Sequence, residues 1–168
     1  LKEAVYDIVT RYLDKGMDDI LFVTSHQNLI NDDEMIKRIK DAYATKGKTF
    51  DSIVETSSEY EDTYKQFNEY FKTHKHQLVI CTYDKEAVAI MNAARNNGII
   101  VPDDMEVIGM FNTTYSLMSN PTLTSVYVPV YNMGALAVRL LTKMLNNEEI
   151  KTKDVEVKYI LMERGSTK

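Results

Sequence analysis

A chain of 168 residues holds one domain or slightly more and can bury about 70% of the surface its unfolded form exposes. With 44% hydrophobic and 27% charged residues it has the composition of a soluble globular protein. Its net charge of −5 disfavours free nucleic-acid binding by these residues alone, because neutralising phosphates takes clustered Lys and Arg. Cys81 is the only cysteine, so no intramolecular disulfide forms, and no apolar run approaches the length that crosses a membrane.

The chain opens without an initiator Met and inside an apparent helix, which reads as a piece of a longer protein, and its first residues are no signal peptide. Over 1–15, Val5, Ile8, Val9, Tyr12 and Leu13 fall at helical spacing, closed by Gly16. Ile20-Leu21-Phe22-Val23 is a short buried strand, and 24–31 is a polar loop at its carboxyl end. Asn31 caps the next helix and Asp32-Asp33-Glu34 gives it an acidic first turn; it runs through Ile36, Ile39, Ala42 and Tyr43 to Gly47. A strand over 50–55 follows, then a capping loop and a helix over 60–74 with Tyr64, Phe67, Tyr70 and Phe71 on one face. Next come the strand Leu78-Val79-Ile80-Cys81, a helix over 85–97 ended by Gly98, a strand over 106–110 and a loop over 111–120. A β-rich stretch over 123–128 ends at Pro129. The helix over 130–146 is the most strongly amphipathic, with Met133, Leu136, Ala137, Leu140, Leu141 and Met144 on one face. The last strand, 155–161, alternates and so has one wet face.

Helices and short strands alternating in this way predict a three-layer α/β/α domain with a mostly parallel sheet. Strands joined by helical crossovers lie parallel, and such sheets bind ligands beyond the strands' carboxyl ends. Two of those ends are Thr82-Tyr83-Asp84 and Phe111-Asn112-Thr113-Thr114, which predicts a small-molecule pocket edge there. No phosphate-cradling glycine loop, Gly-x-Ser-x-Gly or Ser-His-Asp arrangement is present, so no catalytic residue, cofactor or metal site is assigned. His74 and His76 flank Lys75 at a helix end, where a cation meets the carbonyl dipole. His26, at a strand tip, touches ligand or is a solvated loop histidine. Cys81 reads as a buried, inert thiol.

Several segments then resemble those of LacI/GalR-type transcription regulators. Leu78-Val79-Ile80-Cys81-Thr82-Tyr83-Asp84-Lys85-Glu86-Ala87 resembles the family's buried strand followed by Asn-Asp or Ser-Asp and an Ala-containing helix. Gly98-Ile99-Ile100-Val101-Pro102-Asp103-Asp104-Met105-Glu106-Val107-Ile108-Gly109 is similar to its G-x-x-V-P-x-D-x-x-V-x-G stretch. Pro121-Thr122-Leu123-Thr124-Ser125-Val126, Met133-Gly134-Ala135-Leu136-Ala137 and Arg164-Gly165-Ser166-Thr167 look like its P-x-L-T-T-V, M-G-x-x-A and closing R-x-S-T, in family order and spacing. The resemblance covers nearly the whole chain. It implies a periplasmic-binding-protein-like core of two subdomains with a small-molecule effector, a sugar or something less polar, in the cleft between them. It also implies a cytoplasmic homodimer, operator DNA bound through a separate N-terminal helix-turn-helix domain, repression, and no membrane partner. Residues 1–128 and 153–168 would form the second subdomain, and the helix in 129–152 would belong to an otherwise absent first one. A solute-binding protein of a transport system shares the fold and is the alternative.

Transferred residue by residue, the resemblance gives Asp84 as the family's Asp, capping the following helix or contacting ligand. Tyr83 falls at a polar ligand-contacting position, where it stacks on a ring or forms a wall. Met35 falls where the family has Arg, leaving Arg38 as a solvated helix charge, and Phe111 falls where it has an effector-binding Asp, followed by Asn112. Tyr60 and His26 complete the candidate effector set. Val88, Met91 and Asn92, joined by Met118, correspond to the dimer-facing helix or are sheet-covering core, whereas Ala87, Ile90 and Ala94 suit the core. With Met35 and Phe111 in place of two charged readers of sugar hydroxyls, the site favours a less polar ligand, a protein corepressor or no effector.

Overall fold

A computed structural model describes residues 1–25, 29–57, 59–148 and 157–168, with only the backbone of 29–31. Its elements in order are α1 (Lys2–Asp14), β1 (Ile20–Ser25), α2 (Leu29–Thr45), β2 (Ile53–Thr56), α3 (Tyr60–Tyr70) and β3 (Leu78–Cys81). There follow α4 (Asp84–Asn96), β4 (Glu106–Met110), α5 (Thr114–Met118), β5 (Thr124–Tyr127), α6 (Val130–Leu145) and β6 (Ile160–Met162). The sheet runs β2-β1-β3-β4-β5-β6, parallel throughout except that β6 pairs antiparallel with β5.

Strand alternation sorts the side chains into two cores. Ile20, Phe22, Leu78, Ile80, Ile108 and Met110 point to one face, where α1 and α2 cover them with Val5, Ile8, Val9, Ile39 and Ala42. Leu21, Val23, Val79, Cys81 and Val107 point to the other, covered by α3 and α4 through Phe67, Phe71, Ala87, Ile90 and Ala94. Both faces of β1, β3 and β4 are therefore dry, which is why these strands read as unbroken runs dominated by apolar residues, whereas the edge strands β2 and β6 stay partly exposed. The spacing expected for α1 holds: Ala4, Val5, Ile8, Val9, Tyr12 and Leu13 are all buried. Gly16, at φ +79°, turns the chain out of the helix while Met17 N–H donates to Tyr12 O at 3.0 Å.

Several boundaries differ from the sequence reading. Helix α2 begins at Leu29, so the expected cap at Asn31 falls inside its first turn. Phe50 is buried in the α1/α2 core ahead of β2 rather than within a strand. The loop over 111–120 contains α5. The expected strand 155–161 lies partly outside the described residues, and pairing is seen only at Ile160–Met162, opposite a four-residue β5.

Two features frame the sheet. None of the residues of α6 is buried, and Val130, Tyr131, Val138, Leu141, Met144 and Leu145 are all exposed. By contrast Ser166 is wholly buried between β4 and β5. Its carbonyl accepts Val107 N–H at 3.0 Å, and its N–H donates to Thr122 O at 3.0 Å. Its hydroxyl accepts Thr124 N–H at 2.8 Å and donates to Val107 O at 2.6 Å.

Candidate functional site

The two strand tips come together as the parallel register requires. Tyr83 is the extended residue before α4, and its ring stacks on Phe111 with centroids 5.4 Å apart and planes 24° apart. Phe111 and Asn112 are both left-handed, at φ 83° and 47°. For a bulky aromatic this costs on the order of 1–2 kcal/mol, so the surroundings must over-determine it. They do. Phe111 N–H donates to Val126 O at 2.8 Å and Asn112 N–H to Ser125 Oγ at 3.0 Å. Asn112 Oδ1 accepts Arg164 Nη2 at 2.5 Å, while Arg164 Nη1 donates to Leu123 O at 2.7 Å.

Asp84 is the centre of this brace. It makes no capping bond to α4. Instead Oδ2 accepts Thr113 N–H at 2.5 Å and the Thr113 hydroxyl at 2.8 Å, and Oδ1 accepts the Ser125 hydroxyl at 2.6 Å. Only 1% of it is exposed. Asp84 is therefore neither a helix cap nor a ligand contact: it fastens β3 to the β4–α5 turn and to β5. Burial pushes its carboxyl above the usual range, against the donors from Ser125 and Thr113 and the nearby Arg164. Gly109 lies against it. A Cβ there would overlap Asp84 Oδ1 and come within 2.8 Å of Leu123 Cδ2 and 3.2 Å of Asp84 Cα.

Other expected site residues are distributed differently. Met35 is 2% exposed and packs in the α1/α2 core, so it is not a ligand contact: α2 turns that position inward. His26 lies outside the described residues. Tyr60 is brought to Asn92, whose Nδ2 donates to the Tyr60 hydroxyl at 2.7 Å, and its ring stacks on Tyr64 at 6.4 Å. With Glu61, Tyr64, Arg95 and Asn96 these two line a hollow of about 620 Å³ between α3 and α4. Met91 is 2% exposed in the α3/α4 core, which removes it from any dimer face. Val88 is half-buried against that core, and Ala87, Ile90 and Ala94 are buried as expected. Met118 is 84% exposed, beside the exposed Leu117 and Tyr115 on α5.

The remaining polar groups are structural. Arg38 lies 4.2 Å from the Tyr6 ring centroid and reaches Glu3 at 2.6 Å, clamping α2 to α1. His76 bonds Asp19 Oδ1 at 2.7 Å and the Tyr70 hydroxyl at 2.8 Å rather than a helix carbonyl, whereas His74 Nδ1 does approach Tyr70 O at 3.2 Å. Cys81 is fully buried and its thiol is pushed up by that burial, as an inert side chain should be. The sequence places Thr113 in the expected pocket edge and Ser125 and Arg164 in family-like segments, but it gives none of the three a role, because their partners lie 29 to 52 residues away.

Residues 9–167 match the family of periplasmic binding protein-like domains. The catabolite control protein A of Priestia megaterium is 33% identical over 171 residues, covering 99% of this chain and 52% of that protein. Among solved structures, the transcription regulator CcpA of Lactococcus lactis superposes with a TM-score of 0.85 at 26% identity, over 98% of this chain and 61% of that one. A complex of the transcriptional regulator CelR with cellobiose superposes with a TM-score of 0.84 at 21% identity, over 98% and 51%. The chain thus spans about half the length of the curated relatives it matches, and those relatives are regulators rather than transport proteins. The sheet order, the antiparallel closing strand and these likenesses together show that the chain belongs to the periplasmic binding protein-like domain family, in the form found in the effector-binding core of LacI-type regulators.

Proposed function

We propose that this chain is the effector-sensing and dimerisation part of a LacI-type transcription regulator, a repressor whose operator DNA is held by a separate helix-turn-helix domain. The observation that carries the reading is the Tyr83–Phe111 stack at the carboxyl edge of a parallel sheet, held in a costly backbone conformation by buried bonds. Strain of this kind persists where a surface must be preformed. The stack offers a flat apolar face to a ring-bearing ligand or to the C–H face of a sugar, and Asn112 beside it supplies a polar group. Binding would draw a second lobe onto this edge and shift the spacing of two DNA-binding domains, a coupling between distant sites. The protein is cytoplasmic in this reading and is not an enzyme.

The two-lobe division has its own support. An apolar helix with no buried residue is a face made to be covered, so we assign residues 129–152 to the first lobe and 1–128 with 153–168 to the second. A thermal-shift screen of the full-length protein against a metabolite library tests the sensing role: a saturable rise in midpoint with a ring-bearing compound supports it, and no rise with any compound overturns it.

Phe111→Asp is expected to relieve the left-handed strain, since Asp tolerates that region better, and to supply the acceptor that the family uses for sugar hydroxyls. Calorimetry against cellobiose and simple pyranosides should show affinity gained by roughly tenfold over the parent, as one good polar contact allows. Heats unchanged from the parent would remove Phe111 from the site.

We further propose a homodimer formed through Met118 and its exposed neighbours on α5, with Val88 and Asn92 on α4. Burying one methionine is worth about 1.5–3 kcal/mol, so Met118→Asp should weaken self-association at least about tenfold in sedimentation experiments on the full-length protein.

A further inference from the structure

Of the asparagines in the chain, only Asn97 precedes a glycine, Gly98. Such a pair is chemically labile, because a residue without a Cβ leaves its main-chain nitrogen open to the asparagine side chain. Gly98 N attacks Asn97 Cγ. The new bond joins these two atoms, the Cγ–Nδ2 bond breaks, and ammonia leaves with the proton from Gly98 N. Water then opens the cyclic imide at either carbonyl, giving aspartate or isoaspartate. No enzyme, oxidant or cofactor is required.

The fold holds the two reacting groups apart. Asn97 ends α4 and is half-buried. Its Nδ2 donates to Ala93 O at 2.9 Å, Asn68 Oδ1 at 3.1 Å and Asn68 O at 3.2 Å. The group that must leave is therefore the one the fold grips. The nucleophile is engaged as well: Gly98 N–H donates to Arg95 O at 3.1 Å, and Ile99 N–H closes the turn onto Ala94 O at 3.0 Å. Asn68, on α3, also accepts Asn96 Nδ2 at 2.6 Å. Three asparagines thus form the seam where the end of α4 meets α3.

We propose that Asn97 is a site of spontaneous deamidation that the α3–α4 seam keeps shut, so that product accumulates only as the seam opens. The change is one-way, and it undoes the seam that delayed it. The new carboxylate has no N–H to give, and it faces the main-chain carbonyls of Ala93 and Asn68, which accept and never donate. Isoaspartate also adds a methylene to the main chain at the helix end. About one turn before Asn96, Asn92 holds the Tyr60 hydroxyl across the hollow between the same two helices, so that hollow loosens with the seam.

The test is to incubate the full-length protein in mildly alkaline buffer and to follow the peptide carrying residue 97 by mass spectrometry for acid in place of amide and for the isoaspartyl form. In urea the conversion should run at least roughly tenfold faster than in the folded protein, since closing the seam suppresses the open form. Asn68→Ala removes the side-chain acceptor of Asn96 and Asn97 and should speed conversion of the folded protein roughly fivefold, with the rate in urea unchanged. Ile39→Val weakens the core on the other face of the sheet and leaves the seam intact, so its folded rate should stay near the parent's. Asn97→Asp, standing for one product, should shift the ring NMR signals of Tyr60 and Tyr64. No conversion in urea would remove the reactive pair. Equal rates in urea and in the folded protein, or Asn68→Ala and Ile39→Val accelerating alike, would remove the seam as the guard. Neither measurement needs an effector, so they stand whether or not a small molecule binds.

Discussion

Asp84→Ala is expected to lower the thermal midpoint of the full-length protein by roughly 5 °C. The variant leaves Thr113 N–H, the Thr113 hydroxyl and the Ser125 hydroxyl without their acceptor, and of these Ser125 is buried while Thr113 is exposed and can turn to water. A buried donor stranded as Ser125 would be costs about 1–3 kcal/mol. Part of this is recovered because a buried carboxylate is itself expensive, as its raised pKa records. With the lost Thr113 bonds a net loss of roughly 2 kcal/mol remains, and for a domain of this size each kcal/mol moves the midpoint by about 2–4 °C. The second consequence is local. Without Asp84, Thr113 keeps only the bonds its carbonyl accepts from Ser116, and the left-handed Phe111 and Asn112 lose one of the supports that hold them there. Calorimetric unfolding reads the first effect; the ring signals of Phe111 and Tyr83 losing their mutual shift read the second. A midpoint within 2 °C of the parent, on the scale of about 1 kcal/mol or less, would show that the brace is not what fixes this edge.

Gly109→Ala should be comparably severe, for a steric reason. Its new methyl group overlaps Asp84 Oδ1 and crowds Leu123 and the Asp84 backbone, and neither strand β4 nor the first turn of α4 has room to retreat. Overpacking of this kind costs about 1–3 kcal/mol, and more where hydrogen bonds break with it. Because the clash and the brace share one carboxylate, the two substitutions should not add. In the Asp84→Ala background Gly109→Ala should cost at least about 1 kcal/mol less than it does alone, the signature of contacting residues in a double-mutant cycle. Strict additivity in denaturant unfolding would show that Gly109 is needed for some other reason.

What the sequence disclosed follows from how far apart the cooperating residues lie. The elements were legible because each is written in a local period: α1 shows its buried face in 13 residues, and β3 is apolar because both its faces are covered. The layer order and the meeting of residues 82–84 with 111–114 followed from parallel crossovers. Asp84 was misread because a carboxylate at a helix start is locally a cap, and nothing nearby says that its partners come from Thr113 and Ser125, 29 and 41 residues on. Met35 was misplaced because an aligned position names a place along a helix and not the direction in which its side chain faces. Met91 failed likewise, sitting one residue from Asn92 but a hundred degrees round the helix. The buried Glu86 was invisible, since an acidic residue in a first turn is ordinarily a solvated one.

Ser166 has a consequence in time. It completes the main-chain bonding of Val107, Thr122 and Thr124, and those residues leave the ribosome some 40 to 60 residues before it does. Strands β1 to β4 and their covering helices can assemble during synthesis, at about 5–20 residues per second. Strands β4 and β5 can pair along Ile108–Met110 meanwhile, but the start of their seam, at Val107 and Thr122, keeps unmet main-chain groups for a few seconds more, until the stretch ending in Arg164-Gly165-Ser166 arrives to close it.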